Sequence, residues 1–407
     1  MKPMGPIPKG FAAADGELLI GGRMASDLAD RGTPLFVYGQ AMLDARVADL
    51  RAAMPDRLAI HYAMKANPFP PLLAHMAGLV DGFDVASAGE MRFALEAGMA
   101  ADAISFAGPG KDDAELEAAI AAHITLNTES ASEIRRALTI GDRLGIAPRL
   151  AIRVNPGFDI KGSGMKMGGG AKPFGIDADR VPPLAREIAA SGAEWRGFHI
   201  YAGSQALDAQ AVIATQAATL ALAGDLSERA GVDVPQCNLG GGFGIPYFPG
   251  DTPLEIAAVG SALEAAFMAL PERLADTHFA IELGRYLVGE AGVYLTRVID
   301  VKVSHGEIFA VTDGGLHHQL AASGNFGTVV RRNYPVAVAN RFDEAPMERE
   351  QTIVGRLCTP LDLLANKVAL PEIQPGDLVA IFCAGAYGAS ASPAAFLGHG
   401  PAREMLV

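Results

Sequence analysis

Between residues 58 and 284, short apolar runs alternate with alanine-rich segments of good helix formers, and this alternation repeats about eight times. The pattern is typical of a parallel sheet whose strands are connected by crossover helices. Eight such units in roughly 250 residues match the usual size of a closed (β/α)8 barrel. We therefore predict an α/β TIM barrel with helices at 93–99, 114–122, 132–145 and 207–230, and strands at 58–65, 82–87, 103–108, 124–127, 149–155, 197–203, 237–243 and 279–284.

The two ends of the chain have a different pattern. Strand-like runs dominate there, and glycine- or proline-bearing turns separate many of them. We predict a C-terminal all-β domain that also takes in the N-terminal segment. The predicted limits are 39–285 for the barrel, and 1–38 with 286–407 for the β-domain.

Composition restricts the class of protein. The 407 residues, half of them hydrophobic, can bury a large core. A formal net charge of −13 disfavours a nucleic-acid partner, because affinity for phosphate backbones comes from clustered Lys and Arg. The three cysteines show no CxxC spacing, so we expect no disulfide framework and no metal site. This cysteine usage fits a cytoplasmic protein. The N-terminal prolines and the lack of a long apolar stretch predict no membrane insertion.

Lys65 follows the first predicted strand, within YAMKAN. Active sites of such barrels lie at the C-terminal ends of the strands. A partly desolvated lysine there can lose its proton and form a Schiff base with an aldehyde cofactor. A lone lysine after a strand is usually a surface charge, but distinctive residues at four other strand ends favour the cofactor interpretation.

A phosphate site is predicted late in the barrel. The glycines of GGGFG, at 240–244, let backbone N–H groups approach a phosphate closely. Ser204, after the preceding strand, could donate its hydroxyl to the same group. Either motif alone is most often only a turn, and at this point a phosphorylated sugar substrate remains open.

Glu282 favours a pyridine cofactor, because an acidic partner would keep a pyridine nitrogen protonated and make the ring a strong electron sink. Arg285 could assist the phosphate, although a salt bridge between the two residues is the simpler alternative. His199, within HIYAGSQ, would by default be a buried core histidine. Beside the other residues, we predict that its ring stacks on the cofactor.

These motifs, in this order and over nearly the whole chain, resemble those of the fold-type III pyridoxal-phosphate decarboxylases. That group contains diaminopimelate, ornithine and arginine decarboxylases, on a barrel like that of alanine racemase. The resemblance implies pyridoxal 5'-phosphate as the cofactor, with Lys65 forming the aldimine and His199 stacking on the ring. It further implies that Glu282 contacts the pyridine nitrogen, and that the phosphate lies near Ser204, Gly240, Gly241, Gly242, Arg285 and Tyr387.

The family completes each active site with residues of a second subunit, which implies a homodimer with shared active sites. In the segment CTPLD, Cys358 is implied as the proton donor, and Asp362 is retained. Thr359 replaces an acidic residue that helps to recognise the distal ammonium of a basic substrate. This departure predicts a changed substrate.

A second departure follows Asp313, where VTDGG is kept but the R-P-x-L-Y run of diaminopimelate decarboxylases is missing. Arg331, Arg332 and Tyr334 are candidates for reading a carboxylate or a phosphopantetheine phosphate. The neighbours His317 and His318 would face opposite sides of a strand and so make a poor metal pair.

The motifs GSGMKMGGGAKPFG and DGGLHHQLAASGNFG resemble most the exosortase A system-associated pyridoxal-dependent decarboxylases. Genes of that subgroup accompany an acyl-activating ligase and an acyl carrier protein. The resemblance implies decarboxylation of an amino acid at its α-carboxylate, through a Lys65 aldimine and a quinonoid. The substrate would be either free or carrier-tethered in exopolysaccharide-related metabolism.

Three alternatives share parts of this pattern. An amino-acid racemase has the same fold, but it usually places arginine at the pyridine nitrogen, where this chain has Glu282. A non-catalytic pyridoxal-phosphate-binding protein of the single-barrel type would lack the β-domain. A regulatory pseudoenzyme would be expected to have lost cofactor residues that this chain keeps.

Overall fold

The computed structural model describes residues 2–160, 165–166, 168–324 and 331–407. Parts of the two subgroup motifs, at 162–175 and 313–327, lie outside the described residues. The chain divides into two compact units. The barrel unit comprises Val47–Gly244 and Pro253–Gly284, and the β unit comprises Met1–Arg46, Ile245–Thr252 and Arg285–Val407. The limits 39–285 stay a prediction.

In the described part of the barrel unit, eight parallel strands close on themselves in sequence order, because the last strand pairs with the first. This confirms the predicted TIM barrel. The strands are β1 (Leu58–Ala63), β2 (Gly82–Val85), β3 (Ile104–Phe106), β4 (Thr125–Thr128), β5 (Arg149–Asn155), β6 (Glu194–Ile200), β7 (Gln236–Gly241) and β8 (His278–Leu283).

Helices connect these strands, and each helix predicted from the sequence overlaps one of them. Side chains of Ser87, Asp112, Ser130 and Asp208 cap helix N-termini by accepting backbone N–H groups. The connecting helices are Pro70–Ala77, Ala88–Glu96, Asp113–Ala121, Ala131–Leu144, Val181–Ala189, Ala209–Ala230 and Ile256–Met268, and the helix Gln40–Ala53 precedes β1.

Alternation along the strands separates two environments. On β1, Leu58, Ile60 and Tyr62 are buried, whereas Ala59 and His61 line the interior of the barrel. The packed apolar layer therefore lies between strands and helices. The carboxyl ends of the strands carry the polar residues predicted for the site.

The β unit confirms the predicted all-β portion and its N-terminal contribution. Leu35–Tyr38 pairs with both Gly292–Ser304 and Arg403–Leu406, so chain segments distant in sequence share one sheet. Its core includes Leu18, Leu35 and Phe382. The remaining strands are Ala12–Ala14, Glu17–Ile20, Arg23–Met24, Glu307–Thr312, Val336–Val338, Gln351–Val354, Leu363–Val368 and Leu378–Ile381, with short helices at Ala25–Ala29 and Arg285–Val288. Among the described helices, none is both long enough and apolar enough to cross a lipid bilayer.

Candidate active site

Lys65 lies directly after β1, in the single helical turn Met64–Ala66. Its neighbours in that turn are buried, whereas Lys65 itself is exposed and its Nζ lies 5.9 Å from the centre of the Tyr201 ring. The turn is held in place because the Tyr62 hydroxyl donates to the Asn67 carbonyl at 2.9 Å. The lysine is thus presented from a rigid base at the carboxyl end of the barrel.

Glu282 and His199 meet at the carboxyl ends of β8 and β6. The His199 Nε2 lies 3.0 Å from the Glu282 Oε2, and both side chains are buried. Asn238 on β7, between the two strands, donates from Nδ2 to the same carboxylate at 3.2 Å. Its Oδ1 accepts the Gly240 N–H at 2.8 Å, which ties the glycine loop to this cluster.

The charge of Glu282 is set by its neighbours. Burial alone would raise the pKa of this carboxyl. Attraction to His199, with further help from Lys65 and Arg153, outweighs burial and holds the pKa of Glu282 well below its usual value. The carboxylate is therefore ionised, as an acidic partner of a pyridinium must be.

The glycine loop leaves no room for side chains. A Cβ on Gly241 would lie 1.8 Å from the Glu282 carbonyl oxygen, and one on Gly242 would lie 2.2 Å from the Gly203 carbonyl oxygen. Gly240 and Gly242 also have positive φ angles, of 71° and 85°. Ser204 is half-buried on the segment that follows β6. The loop therefore packs directly against the backbone of the neighbouring strands, at positions where any residue other than glycine would clash.

Arg285 and Tyr387 belong to the β unit and lie together there. The Arg285 guanidinium is 5.1 Å from the centre of the Tyr387 ring and 5.5 Å from that of Tyr247. The Tyr247 ring lies 4.8 Å from that of Tyr334 at a tilt of 38°, and Tyr334 is buried. Arg332 lies over the Phe248 ring at 3.9 Å. The roles predicted for Arg331, Arg332 and Tyr334 in reading a substrate stay predictions.

The CTPLD segment forms an exposed loop of the β unit. Cys358 is exposed, and the Thr359 hydroxyl accepts the Leu361 N–H at 3.3 Å. Asp362 is buried, and its two carboxylate oxygens accept the N–H groups of Leu316 and Leu357, at 2.6 and 2.8 Å. Its carboxylate thus fastens the loop to the segment after Asp313.

Asp313 is also engaged within the β unit. Its Oδ1 accepts the Thr296 hydroxyl at 2.7 Å and the Arg297 N–H at 2.9 Å. The prediction that His317 and His318 face opposite sides of a strand is wrong. They lie in a turn, and their rings are 3.7 Å apart.

Sequence reasoning missed three residues of the barrel site. Asn238 was hidden because an asparagine before glycines resembles an ordinary turn. Arg153 and Glu129 form a buried ion pair at 2.8 Å, and Glu129 also accepts the Gly175 N–H at 2.9 Å. The available signal for Arg153 was a charged residue between Ile152 and Val154, inside a predicted strand.

The strand ends of this TIM barrel carry a lysine, a buried carboxylate and the glycine loop after β7. These features together define the class of barrel enzymes that bind a phosphorylated aldehyde cofactor. Comparison with known proteins agrees. Residues 40–289 match the family model described as pyridoxal-dependent decarboxylase, pyridoxal binding domain. The chain belongs to the pyridoxal-dependent decarboxylases and is a carboxy-lyase that acts on an amino acid.

Relatives of two kinds share most of their length with this chain. L-glutamyl-[BtrI acyl-carrier protein] decarboxylase of Niallia circulans is 38% identical over 383 residues, covering 92% of this chain and 88% of that protein. Diaminopimelate decarboxylase of Methanothermobacter thermautotrophicus is 34% identical over 387 residues, covering 93% and 87%. The crystal structure of diaminopimelate decarboxylase from M. jannaschii in co-complex with L-lysine has a TM-score of 0.88 at 25% identity, covering 98% and 93%.

The cofactor of this family is pyridoxal 5'-phosphate, and the barrel residues fit it. The glycine loop lies at the carboxyl end of β7, where backbone N–H groups can bind a phosphate, and Glu282 is a buried carboxylate. The Nδ1 of His199 has no hydrogen-bond partner among the described residues, as expected of a ring that a ligand covers. When bound, the cofactor supplies the electron sink for the electron pair left by departing carbon dioxide.

Proposed function

We propose that this enzyme decarboxylates a glutamate-like amino acid that is held on an acyl-carrier protein. The observation that carries the proposal is Thr359, a neutral residue where the family has an acidic one. An acidic side chain would attract the distal ammonium of a free diamino acid, whereas threonine gives no such attraction. A substrate whose distal carboxyl is linked to a carrier has no charge to be matched there.

The surroundings of Thr359 agree with a neutral ligand. Leu361, two residues on, is 54% exposed, and the preceding Cys358 is also exposed. The acidic residue of the loop, Asp362, is buried and already accepts two backbone N–H groups. The exposed surface of the loop is therefore uncharged between Cys358 and Leu361.

The similarity to an L-glutamyl-[acyl-carrier protein] decarboxylase supports the same substrate class. In the proposed reaction, Lys65 holds the cofactor until the substrate amine replaces it, and Glu282 keeps the pyridine nitrogen protonated. Cys358 from a second copy of the chain, in a homodimer, returns a proton to Cα after carbon dioxide leaves. The exopolysaccharide context stays a prediction.

Carbon dioxide release by cofactor-loaded protein tests the substrate. The panel contains free meso-diaminopimelate, lysine, ornithine, arginine and glutamate beside glutamyl-loaded acyl-carrier protein, with Lys65→Ala as the inactive control. Turnover confined to the carrier-linked species supports the proposal. Strong turnover of a free diamino acid would overturn it and group the enzyme with the diaminopimelate decarboxylases.

A Thr359→Glu variant separates the role of this residue from the rest of the site. We expect carrier-linked turnover to fall and any weak turnover of free lysine or diaminopimelate to rise. Pro360→Ala serves as the matched control in the same loop. Equal effects of the two substitutions would show that the loop, and not the charge at position 359, determines the result.

A further inference from the structure

The barrel interior contains a cavity of about 370 Å³ beneath the active site. Interiors of such barrels are normally filled by bulky branched side chains. Here the lining includes the alanines at 59, 151 and 280, together with polar groups of His61, Asn127 and Asn238. A departure of this kind from ordinary core packing is expected where a function requires it.

Several buried polar atoms around this cavity make no hydrogen bond within the described part of the chain. Among the described residues, His61 Nδ1, Asp84 Oδ2 and Arg196 Nε are buried without a hydrogen bond. The first two of these atoms are 3.6 Å apart. Buried polar groups nearly always have protein or water partners. A polar cavity of this volume has room for several water molecules.

The upper end of the cavity reaches a residue that contacts the active-site carboxylate. Asn238 lines the cavity and also donates to the Glu282 Oε2 at 3.2 Å. His61 and Glu282 are directly opposite one another on the neighbouring strands β1 and β8. A proton bound to His61 therefore lies on the strand next to the one that carries Glu282.

The lower end reaches solvent at the amino-terminal face of the barrel. Asp102 and His278 line the cavity there, and both residues are exposed. Arg196 lines the same end and is half-buried. The lining thus runs from solvent at the amino-terminal face of the barrel to Asn238, which contacts Glu282.

We propose that this cavity is a hydrated proton relay, in which His61 carries protons between solvent at the barrel floor and the Glu282 cluster. Each group of the relay accepts a proton on one side and releases one on the other, so no group is consumed. The relay lets the pyridine nitrogen and Glu282 exchange protons with solvent while substrate occupies the active site. It does not depend on which amino acid is decarboxylated.

The position of His61 suits this role. Its ring lies against Gly82, where a Cβ would come within 2.8 Å of both Cε1 and Nε2. Asp84 faces it and is itself fixed by a hydrogen bond from the Ser105 hydroxyl, which accepts from Asn127 Nδ2 at 3.1 Å. Burial lowers the pKa of His61, but attraction to Asp84, with Glu282 and Asp81, raises it overall. The ring can therefore hold a proton inside the barrel.

An experimental structure at high resolution tests the water content directly. We expect ordered waters in an unbroken row from Asn238, past the gap between His61 and Asp84, to Arg196. A cavity that is dry, or that is filled by side chains in other rotamers, would overturn the relay. This readout needs neither substrate nor turnover, so it is independent of the proposed substrate.

The kinetics of exchange test the relay itself. In protein loaded with 15N-labelled pyridoxal phosphate, NMR can follow exchange of the pyridine N–H proton with water. Because a positioned histidine commonly speeds proton transfer by more than a factor of ten, we expect His61→Gln to slow this exchange by about tenfold or more. Ala59→Leu, which narrows the lower cavity, should do the same, whereas the exposed Ala52→Leu should not.

Chemical rescue separates proton transfer from a structural effect. In His61→Ala, added imidazole should enter the cavity and restore part of the exchange rate. Exchange that is unchanged in both His61→Gln and Ala59→Leu would overturn the proposal. Slow exchange in His61→Ala that imidazole does not restore would assign His61 a structural role instead.

Discussion

Lys65 is the residue on which cofactor attachment depends. In Lys65→Ala, we expect the absorbance of the covalently bound cofactor to disappear and turnover to be lost, because no other amine is presented at the end of β1. The measurement is an absorbance spectrum of the purified protein after incubation with pyridoxal phosphate. Lys9→Ala, at an exposed position, should keep the spectrum. A covalent chromophore that survives in Lys65→Ala would refute the assignment.

Glu282 should control catalysis through its charge. In Glu282→Gln the size of the side chain is kept but the pyridine nitrogen loses its anionic partner, so we expect kcat to fall by about 100-fold or more. Glu96→Gln, on an exposed helix position, is the matched control. A Gln variant with unchanged kcat would mean that the carboxylate does not serve the electron sink.

The lowered pKa of Glu282 also predicts how the folding stability of the protein depends on pH. A carboxyl whose pKa is lowered by folding stabilises the folded state above its ordinary value of 4.5, and this contribution is lost as the pH falls below that value. Chemical denaturation between pH 7 and pH 3 should therefore show a shallower loss of stability in Glu282→Gln than in the natural protein. An equal loss of folding stability with falling pH in the two proteins would contradict the lowered pKa of Glu282.

The sequence revealed those residues of the active site that belong to compact motifs. Lys65 and Glu282 could be found because each directly ends a strand. Asn238 could not, because its role depends on the register of β6, β7 and β8, which brings it beside Glu282. The error at His317 and His318 has the same origin, since only the turn conformation brings the two rings together.

The glycine loop after β7 is an element whose backbone path excludes side chains. Gly241→Ala would place a Cβ against the Glu282 carbonyl, so we expect a loss of about 1–3 kcal/mol in folding stability and weaker cofactor binding. Gly192→Ala has open space around its Cβ and should change neither. Thermal unfolding and cofactor titration of both variants measure this difference.

Cys358, on its exposed loop, should react with thiol reagents, whereas the buried Cys237 and Cys383 should not. Burial raises the pKa of Cys237 to about 12, and it also raises that of Cys383. We expect one fast-reacting thiol per folded chain with an aromatic disulfide reagent, and none in Cys358→Ser. Two fast thiols in the native protein would show that one of the buried cysteines is accessible.

The elements themselves were largely predictable. All eight barrel strands follow from apolar runs, because a parallel strand is buried on both faces. Their ends were less certain, since β3 covers only Ile104–Phe106 of the predicted 103–108. The conformation of the 355–362 loop was not predictable, because it depends on Asp362 binding backbone from a segment some 46 residues away.

The protein should be active only as a dimer if Cys358 completes the active site of a second copy of the chain. Lys65→Ala and Cys358→Ala are each expected to be inactive alone. When they are mixed under exchange conditions, activity should return to about a quarter of the natural level, because half of the dimers are mixed and each has one intact site. No recovery, with mixed dimers shown to form, would place both residues in the same subunit's site.

The overall division into a barrel and a β-portion was visible in the sequence because the two parts differ in periodicity. The pairing inside the β unit was not visible. Strand order in that sheet joins Leu35–Tyr38 to two segments from the other end of the chain, and apolar runs do not encode such long-range partners.

That pairing has a consequence for synthesis on the ribosome. Tyr38 and Glu404 share a hydrogen bond of 2.7 Å although 366 residues separate them. One edge of the strand Leu35–Tyr38 therefore stays unpaired during synthesis until Arg403–Leu406 has emerged from the ribosome. All strands of the barrel emerge before that point. A nascent chain that has not yet reached residue 403 would expose this edge, and an exposed strand edge can pair with another chain and aggregate.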